Sequence, residues 1–160
     1  MNIRKGTIAD VDDILGLIIE LAVFEREPTA VEITTTDLIR DGFGEYPLFQ
    51  VIVAEIEDKI VGMALFYNRY STWKGKTIHL EDLIVSQHAR GTGVGMALYI
   101  EVLKEGQKQN VRRVEWNVLD WNTPAIKFYE KTGAKVLKDW CNVQIDNNAM
   151  AFFLDMKKKL

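Results

Sequence analysis

Apolar positions near the start of the chain recur every three or four residues, and Val11, Ile14, Leu15, Ile18, Leu21 and Ala22 form one stripe at helical period. Thr7 and Asp10 stand before that stripe with the spacing of a capping box, so the pattern predicts a first helix beginning near Val11. A second short helical run, Thr36 to Arg40, is closed by Asp41-Gly42-Phe43-Gly44, whose glycines permit the angles that end a helix. The period then changes. Phe49 to Ile56 and Ile60 to Tyr70 are rich in Val, Ile, Phe and Tyr and flank the polar turn Glu57-Asp58-Lys59, predicting an antiparallel hairpin. Thr77 to Val85 reads as another strand, with His79, Glu81, Leu83 and Val85 on one face and Ile78, Leu80, Asp82 and Ile84 on the other.

Beyond that strand a glycine-rich loop, Arg90 to Gly95, opens a helix in which Met96, Ala97, Ile100, Leu103 and Lys104 continue toward Gln109. Val111 to Leu119 is expected to be a strand, and Pro124 to Lys131 a short helix with proline near its first turn and Gly133 as its stop. Ala149 to Met156 reads as a closing strand, and Lys157-Lys158-Lys159 as a solvated end. Neither repeats nor linker composition divide the chain. The expectation is one α/β domain, residues 1–160.

Composition narrows the function. A chain of 160 residues with 48% hydrophobic content builds a core without disulfides or a structural metal. Its formal net charge of −3 leaves no basic surplus for a phosphate backbone, so nucleic acid is not an expected partner. Cys141, the one cysteine, has no internal partner, and His79 with His88 lacks metal-ligand spacing, so no metal site is expected and a reducing cytoplasm suits the chain. The opening Met1-Asn2-Ile3-Arg4-Lys5 has no apolar core of a signal peptide and no long apolar run follows, so neither secretion nor membrane insertion is signalled.

A strand that feeds Arg90-Gly91-Thr92-Gly93-Val94-Gly95 and then a helix offers several backbone N–H groups at the positive end of a helix dipole. That arrangement suits an anion, and small residues at 91, 93 and 95 allow a diphosphate close to the main chain. No Gly-Lys-Ser/Thr follows, which excludes a nucleoside-triphosphate loop, and spacing by two excludes the dinucleotide Gly-x-Gly-x-x-Gly. By themselves the glycines also fit an ordinary turn.

The same loop resembles the Arg/Gln-x-x-Gly-x-Gly/Ala pyrophosphate loop of the GNAT N-acetyltransferase superfamily. Three further motifs, Asp41-Gly42-Phe43-Gly44-Glu45-Tyr46-Pro47, Leu80-Glu81-Asp82 and Trp121-Asn122-x-Pro124-x-Ile126-x-Phe128-Tyr129, resemble its diamine (spermidine/spermine) and thialysine acetyltransferase branch. The resemblance implies a mixed, mostly antiparallel central sheet with helices on its flanks and two neighbouring parallel strands that splay apart. It implies acetyl-CoA as the cofactor, its pantetheine arm paired with the backbone of Leu83, Ile84 and Val85. The pyrophosphate would lie on Arg90, Gly91, Thr92, Gly93, Val94, Gly95 and Met96, and Asn122, Pro124 and Tyr129 would border the thioester. A homodimer is also implied.

The chemistry assigns roles within that frame. An alkylamine of pKa about 10.4 arrives protonated and must lose a proton before it attacks, so Glu81 is expected as the base, directly or through a water. A main-chain N–H near Leu83 is placed to steady charge on the thioester oxygen. The departing thiolate needs a proton, for which Tyr129 is the candidate. Phe24 and Glu25, with Asp139 and Trp140, match positions at the amine end, where acid and aromatic faces suit an ammonium. Ser71-Thr72 before Trp73 stands where the polyamine enzymes carry an acid, which weakens selection for a long polycation more than for a short amine and leaves a diamine, thialysine or another lysine-like amine open. Asp82 is expected to serve structure, Cys141 to be a bystander, and His79 to be a candidate proton relay to Glu81. A protein-lysine or amino-acid acetyltransferase, and a non-catalytic acyl-CoA-binding module, remain the alternatives.

Overall fold

The β-rich middle of the sequence folds as its period dictates. The computed structural model describes residues 1–157, which fall into two compact units, the first Met1–Leu119 and the second beginning at Asp120. In the first unit the elements run β1 (Asn2–Lys5), α1 (Val11–Phe24), α2 (Thr35–Phe43), β2 (Gln50–Ile56), β3 (Lys59–Ser71), β4 (Gly75–Val85), α3 (Val94–Lys108) and β5 (Val114–Glu115). The strands form one sheet in the order β1-β2-β3-β4-β5, antiparallel except for the parallel pair β4-β5. Glu57 and Asp58 take φ of 51° and 59°, the left-handed pair that closes a two-residue hairpin with the twist of its strands.

The capping box at the chain start is present. The Asp10 carboxylate accepts from Thr7 N–H at 2.7 Å and Thr7 Oγ1 at 2.9 Å, and it takes both arms of Arg4 at 2.7 and 2.8 Å. Arg4 also donates to Glu55 Oε2 at 2.8 Å, so one guanidinium ties β1, β2 and the start of α1 together. That contact holds Asp10 far below the ordinary carboxylate range, against the opposing effect of its burial. Val11, Ile14 and Leu17 of α1 join Leu38, Val51, Val53, Met63, Leu65 and Ile84 in one apolar cluster on that face of the sheet. On the other face α3 approaches closely: a Cβ at Gly62 would meet Val94 Cγ1 at 3.2 Å and Leu98 Cδ1 at 3.3 Å.

Three expectations are corrected. The strand Val111–Leu119 forms a ladder only at Val114–Glu115, paired Ile78↔Val114 and His79↔Glu115. Alternation marks extended chain, but a ladder needs a partner, and β4 bulges just past the last pair. The bulge is the second correction: Phe66 pairs with Leu80 and Leu65 with Asp82, so Glu81 is the extra residue. One added residue reverses the parity of everything after it. Asp82 and Ile84 therefore share the face of His79, while Leu83 and Val85 share that of Ile78 and Leu80.

The third correction lies in the second unit, which contains α4 (Thr123–Lys131) and α5 (Asn147–Lys157). Ala149 to Met156 is helical, not a strand. Asp146 Oδ1 accepts from Ala149 N–H at 2.7 Å, and that cap with Ala149, Met150, Ala151 and Leu154 outweighs the β-preference of Phe152 and Phe153. The Lys158-Lys159 part of the tail lies outside the described residues. Among the described residues no helix is long and apolar enough to cross a membrane.

Candidate active site

The loop after β4 takes the form its glycines allow. Gly91 and Gly93 have φ of 78° and 89°, and nothing stands within 4 Å of where a Cβ would project from either. Their need for glycine is thus in the backbone angle, with open space on the outer side. Gly93 is the N-cap of α3 and no side chain caps that helix. The first N–H groups of α3 are therefore orphan donors at the positive end of its dipole. Thr92 Oγ1 donates to Ala89 O at 2.6 Å, folding the loop back onto the short 3-10 turn Gln87–Ala89.

The strand edge beside this loop is open as well. Pairing with β5 stops at His79, so among the described residues the outer edge of β4 from Leu80 to Val85 has no strand partner. An uncapped helix N-terminus at the end of a free strand edge fits a long ligand that carries a diphosphate at one end and amide groups along its arm. The residues present thus suit coenzyme A. One hydrogen bond differs from expectation: Arg90 Nε donates to Val85 O at 3.0 Å, and its guanidinium lies 5.1 Å from the centre of the Phe24 ring. The Phe24 face, expected to meet the substrate, is offered to Arg90.

Glu81 stands out from the strand, its side chain 52% exposed, with His79 Nε2 3.6 Å from its Oε2. Tyr67 lies beside it, and burial together with the Glu81 charge raises that phenol. His79 is buried and its ring centre lies 5.3 Å from that of Tyr67. Because of the bulge, Tyr67, His79, Glu81 and Asp82 gather on one side of β4. Asp82, expected to be structural, is the acid the sequence reading missed. Burial first, then the charges of Glu81 and Glu25, raise it from 3.8 to about 6. Glu25, which ends α1, is raised by partial burial. A Glu-Asp pair on a strand gives no hint of this, since regular alternation separates the two side chains.

The Asp82 shift has a measurable consequence for stability. Between about pH 4 and 6 the folded chain holds a proton on Asp82 that the unfolded chain has lost, so stability falls as pH rises through that window. The cost at neutral pH is on the order of 2–3 kcal/mol. Asp82→Asn is expected to match the wild type near pH 4 and to exceed it by about 1–3 kcal/mol at pH 7 in urea denaturation. Equal stabilities at pH 7 would show that Asp82 is not raised.

In the second unit, Asn122 Oδ1 accepts from Ala125 N–H at 3.3 Å and caps α4, with Pro124 in the first turn. Tyr129 is buried, edge-on to Phe128 at 5.1 Å, and its carbonyl accepts from Thr132 Oγ1 at 2.7 Å. Asp139, Trp140 and Cys141 are exposed. Glu81 and the loop belong to the first unit, and Asn122, Pro124, Tyr129, Asp139 and Trp140 to the second. A cavity of about 440 Å³ between β1, β2 and α3, lined by Phe43, Phe49, Phe66, Lys104 and Lys108, contains none of the expected site residues. Among the described residues no cluster of His, Cys, Asp and Glu is arranged to hold a metal ion.

Comparison with known proteins places these features. Residues 17–134 match the profile of the Acetyltransferase (GNAT) family. The chain is 35% identical to the thialysine N-epsilon-acetyltransferase of Mus musculus over 93% of its own length and 94% of that protein's. It is 36% identical to a human spermidine/spermine N(1)-acetyltransferase-like protein, over 83% of this chain and 20% of that one. Among solved structures, an integron cassette protein from the mobile metagenome of V. cholerae superposes with a TM-score of 0.78 at 25% identity, covering 96% of each chain.

Proposed function

The chain belongs to the acetyltransferase (GNAT) family, and from that membership we propose that it moves acetyl from acetyl-CoA to a primary amine of a small cationic substrate: a diamine, a polyamine or a thialysine-like amine. The observation that carries this reading is the bulge, which gathers Glu81 and Asp82 on one side of β4, the strand that leads to the uncapped start of α3. Two neighbouring carboxylates, with Glu25 contributing to their mutual repulsion, attract an ammonium and also offer a place for its proton. The family match runs across the boundary at Leu119, which supports treating the whole chain as one acetyltransferase domain. We place it in the cytoplasm, acting as a homodimer.

Acetyl-CoA, when bound, supplies an activated thioester. The backbone N–H groups from Gly91 to Met96 would hold its diphosphate, Arg90 would add positive charge, and the outer edge of Leu83, Ile84 and Val85 would line the pantetheine arm. Glu81 takes the proton from the ammonium so that the nitrogen lone pair is free to attack. The Tyr129 hydroxyl would give a proton at the departing sulfur and would be restored by the second proton the nitrogen sheds on becoming an amide, with Asn122 and Pro124 bordering that position. Phe24, Glu25, Asp139 and Trp140 complete the amine side. Direct attack of the amine on the thioester would need no covalent enzyme intermediate. A second reading, with Asp82 as the base, is favoured by its raised pKa of about 6, which is closer to the working pH.

The test is thiol release from acetyl-CoA across a panel of amines. Diamines, polyamines and thialysine are expected to give kcat/KM at least about tenfold above lysine-containing peptides. Preference for peptides would move the substrate class to protein lysine. Binding of CoA without turnover on any amine would leave a non-catalytic module.

A further inference from the structure

Glu20 lies on α1 one turn before Phe24, and its carboxylate is committed to the segment that follows β4. Oε2 accepts from Ser86 Oγ at 2.6 Å and Oε1 from Gln87 N–H at 2.8 Å, partners 66 and 67 residues away in sequence. Ser86 is buried and its own N–H donates to Val61 O at 2.9 Å. Gln87 opens the 3-10 turn that ends at Ala89, and Ala89 O is where Thr92 Oγ1 returns. Arg90 Nη2 stands 4.0 Å from Glu20 Oε1. A continuous set of contacts therefore runs from α1 through Gln87, Ala89 and Thr92 to Gly93, the cap of α3.

We infer that Glu20 is a positioning residue for the cofactor loop: it fixes the turn from which residues 90–96 spring and holds Arg90 at the loop's entrance. The inference rests on the reading of that loop as the acetyl-CoA site. Burial opposes charge on Glu20, but the hydrogen bonds from Ser86 and Gln87 and the positive charge of Arg90 and His88 outweigh it. The carboxylate is thus ionised at neutral pH and accepts strong, charge-assisted bonds. Its repulsion of a bound diphosphate works in the opposite direction. That repulsion is the smaller effect, because Glu20 faces Arg90 and its side chain is 35% exposed to screening solvent.

The experiment is calorimetric titration of CoA into the wild type, Glu20→Gln and Ser86→Ala, with steady-state kinetics in which each substrate is varied in turn. Glu20→Gln is expected to raise the Kd for CoA and the KM for acetyl-CoA roughly tenfold, leaving kcat and the amine KM within about twofold. Ser86→Ala, which removes one bond, is expected to raise the same two constants less. A merely structural role would lower the active fraction and melting temperature without separating the two KM values. Unchanged or tighter CoA binding in a folded Glu20→Gln overturns the inference, as does an equal loss in kcat and both KM values. If Glu20→Gln does not fold, Ser86→Ala decides by the same criteria. A wild type that binds no CoA removes the cofactor reading itself, a different result from a wild type and variant that bind equally.

Discussion

Replacing Glu81 with Gln is expected to lower kcat/KM for the amine by about 10²–10³ at pH 7 while leaving the Kd for CoA unchanged. Glu81 has no role in seating the diphosphate, so its loss falls on the chemical step. The isosteric amide keeps the contact with the Tyr67 hydroxyl but removes the charge that accepts a proton. Substrate at neutral pH is almost wholly ammonium, so an enzyme without a base depends on the rare free amine. The variant is therefore expected to recover part of its rate as pH rises toward the amine's own pKa. Asp82→Asn is the comparison that assigns the role. With Glu81 as base, that change costs within about tenfold, since Asp82 then acts only through its charge. If instead Asp82→Asn costs 10²-fold or more and abolishes an acid limb near the Asp82 pKa of about 6, the base is Asp82.

The second large effect belongs to the loop. Gly93→Val is expected to weaken CoA binding by at least about 100-fold, equivalent to roughly 2.7 kcal/mol. The φ of 89° at this position lies where a β-branched residue is strained. Nothing beyond the neighbouring residues stands within 4 Å of where a Cβ would lie, so the cost comes first from the backbone angle. The damage falls on the angle that aims the first N–H groups of α3 and on the space a diphosphate would use. The melting temperature should fall by only a few degrees, the cost of one strained residue. Wild-type affinity in Gly93→Val would remove the loop from the cofactor site.

The sequence disclosed most of what local chemistry controls. Thr7 with Asp10, the turn at Glu57-Asp58, the glycines at 91 and 93 and the proline in the first turn of α4 each act over a few residues, and the structure contains each one. What it hid depends on partners distant in the chain. The bulge at Glu81 follows from the register between β3 and β4, which no pattern within Thr77–Val85 encodes. It reverses the faces of the strand and turns Asp82 from an expected structural residue into the acid raised to about 6. The contacts of Glu20 with Ser86 and Gln87 span 66 and 67 residues and leave no local mark. The difference at α5 is of another kind: the Asp146 cap acts locally and outweighs the β-preference of Phe152 and Phe153.

Crystals of the chain soaked with coenzyme A test the central claim most directly. The diphosphate is expected on the backbone N–H groups of Gly91 to Met96, with the pantetheine along the free edge of β4 and the sulfur close to Glu81 or Asp82. An unoccupied turn in a crystal that contains the nucleotide, or a sulfur remote from both acids, would contradict it.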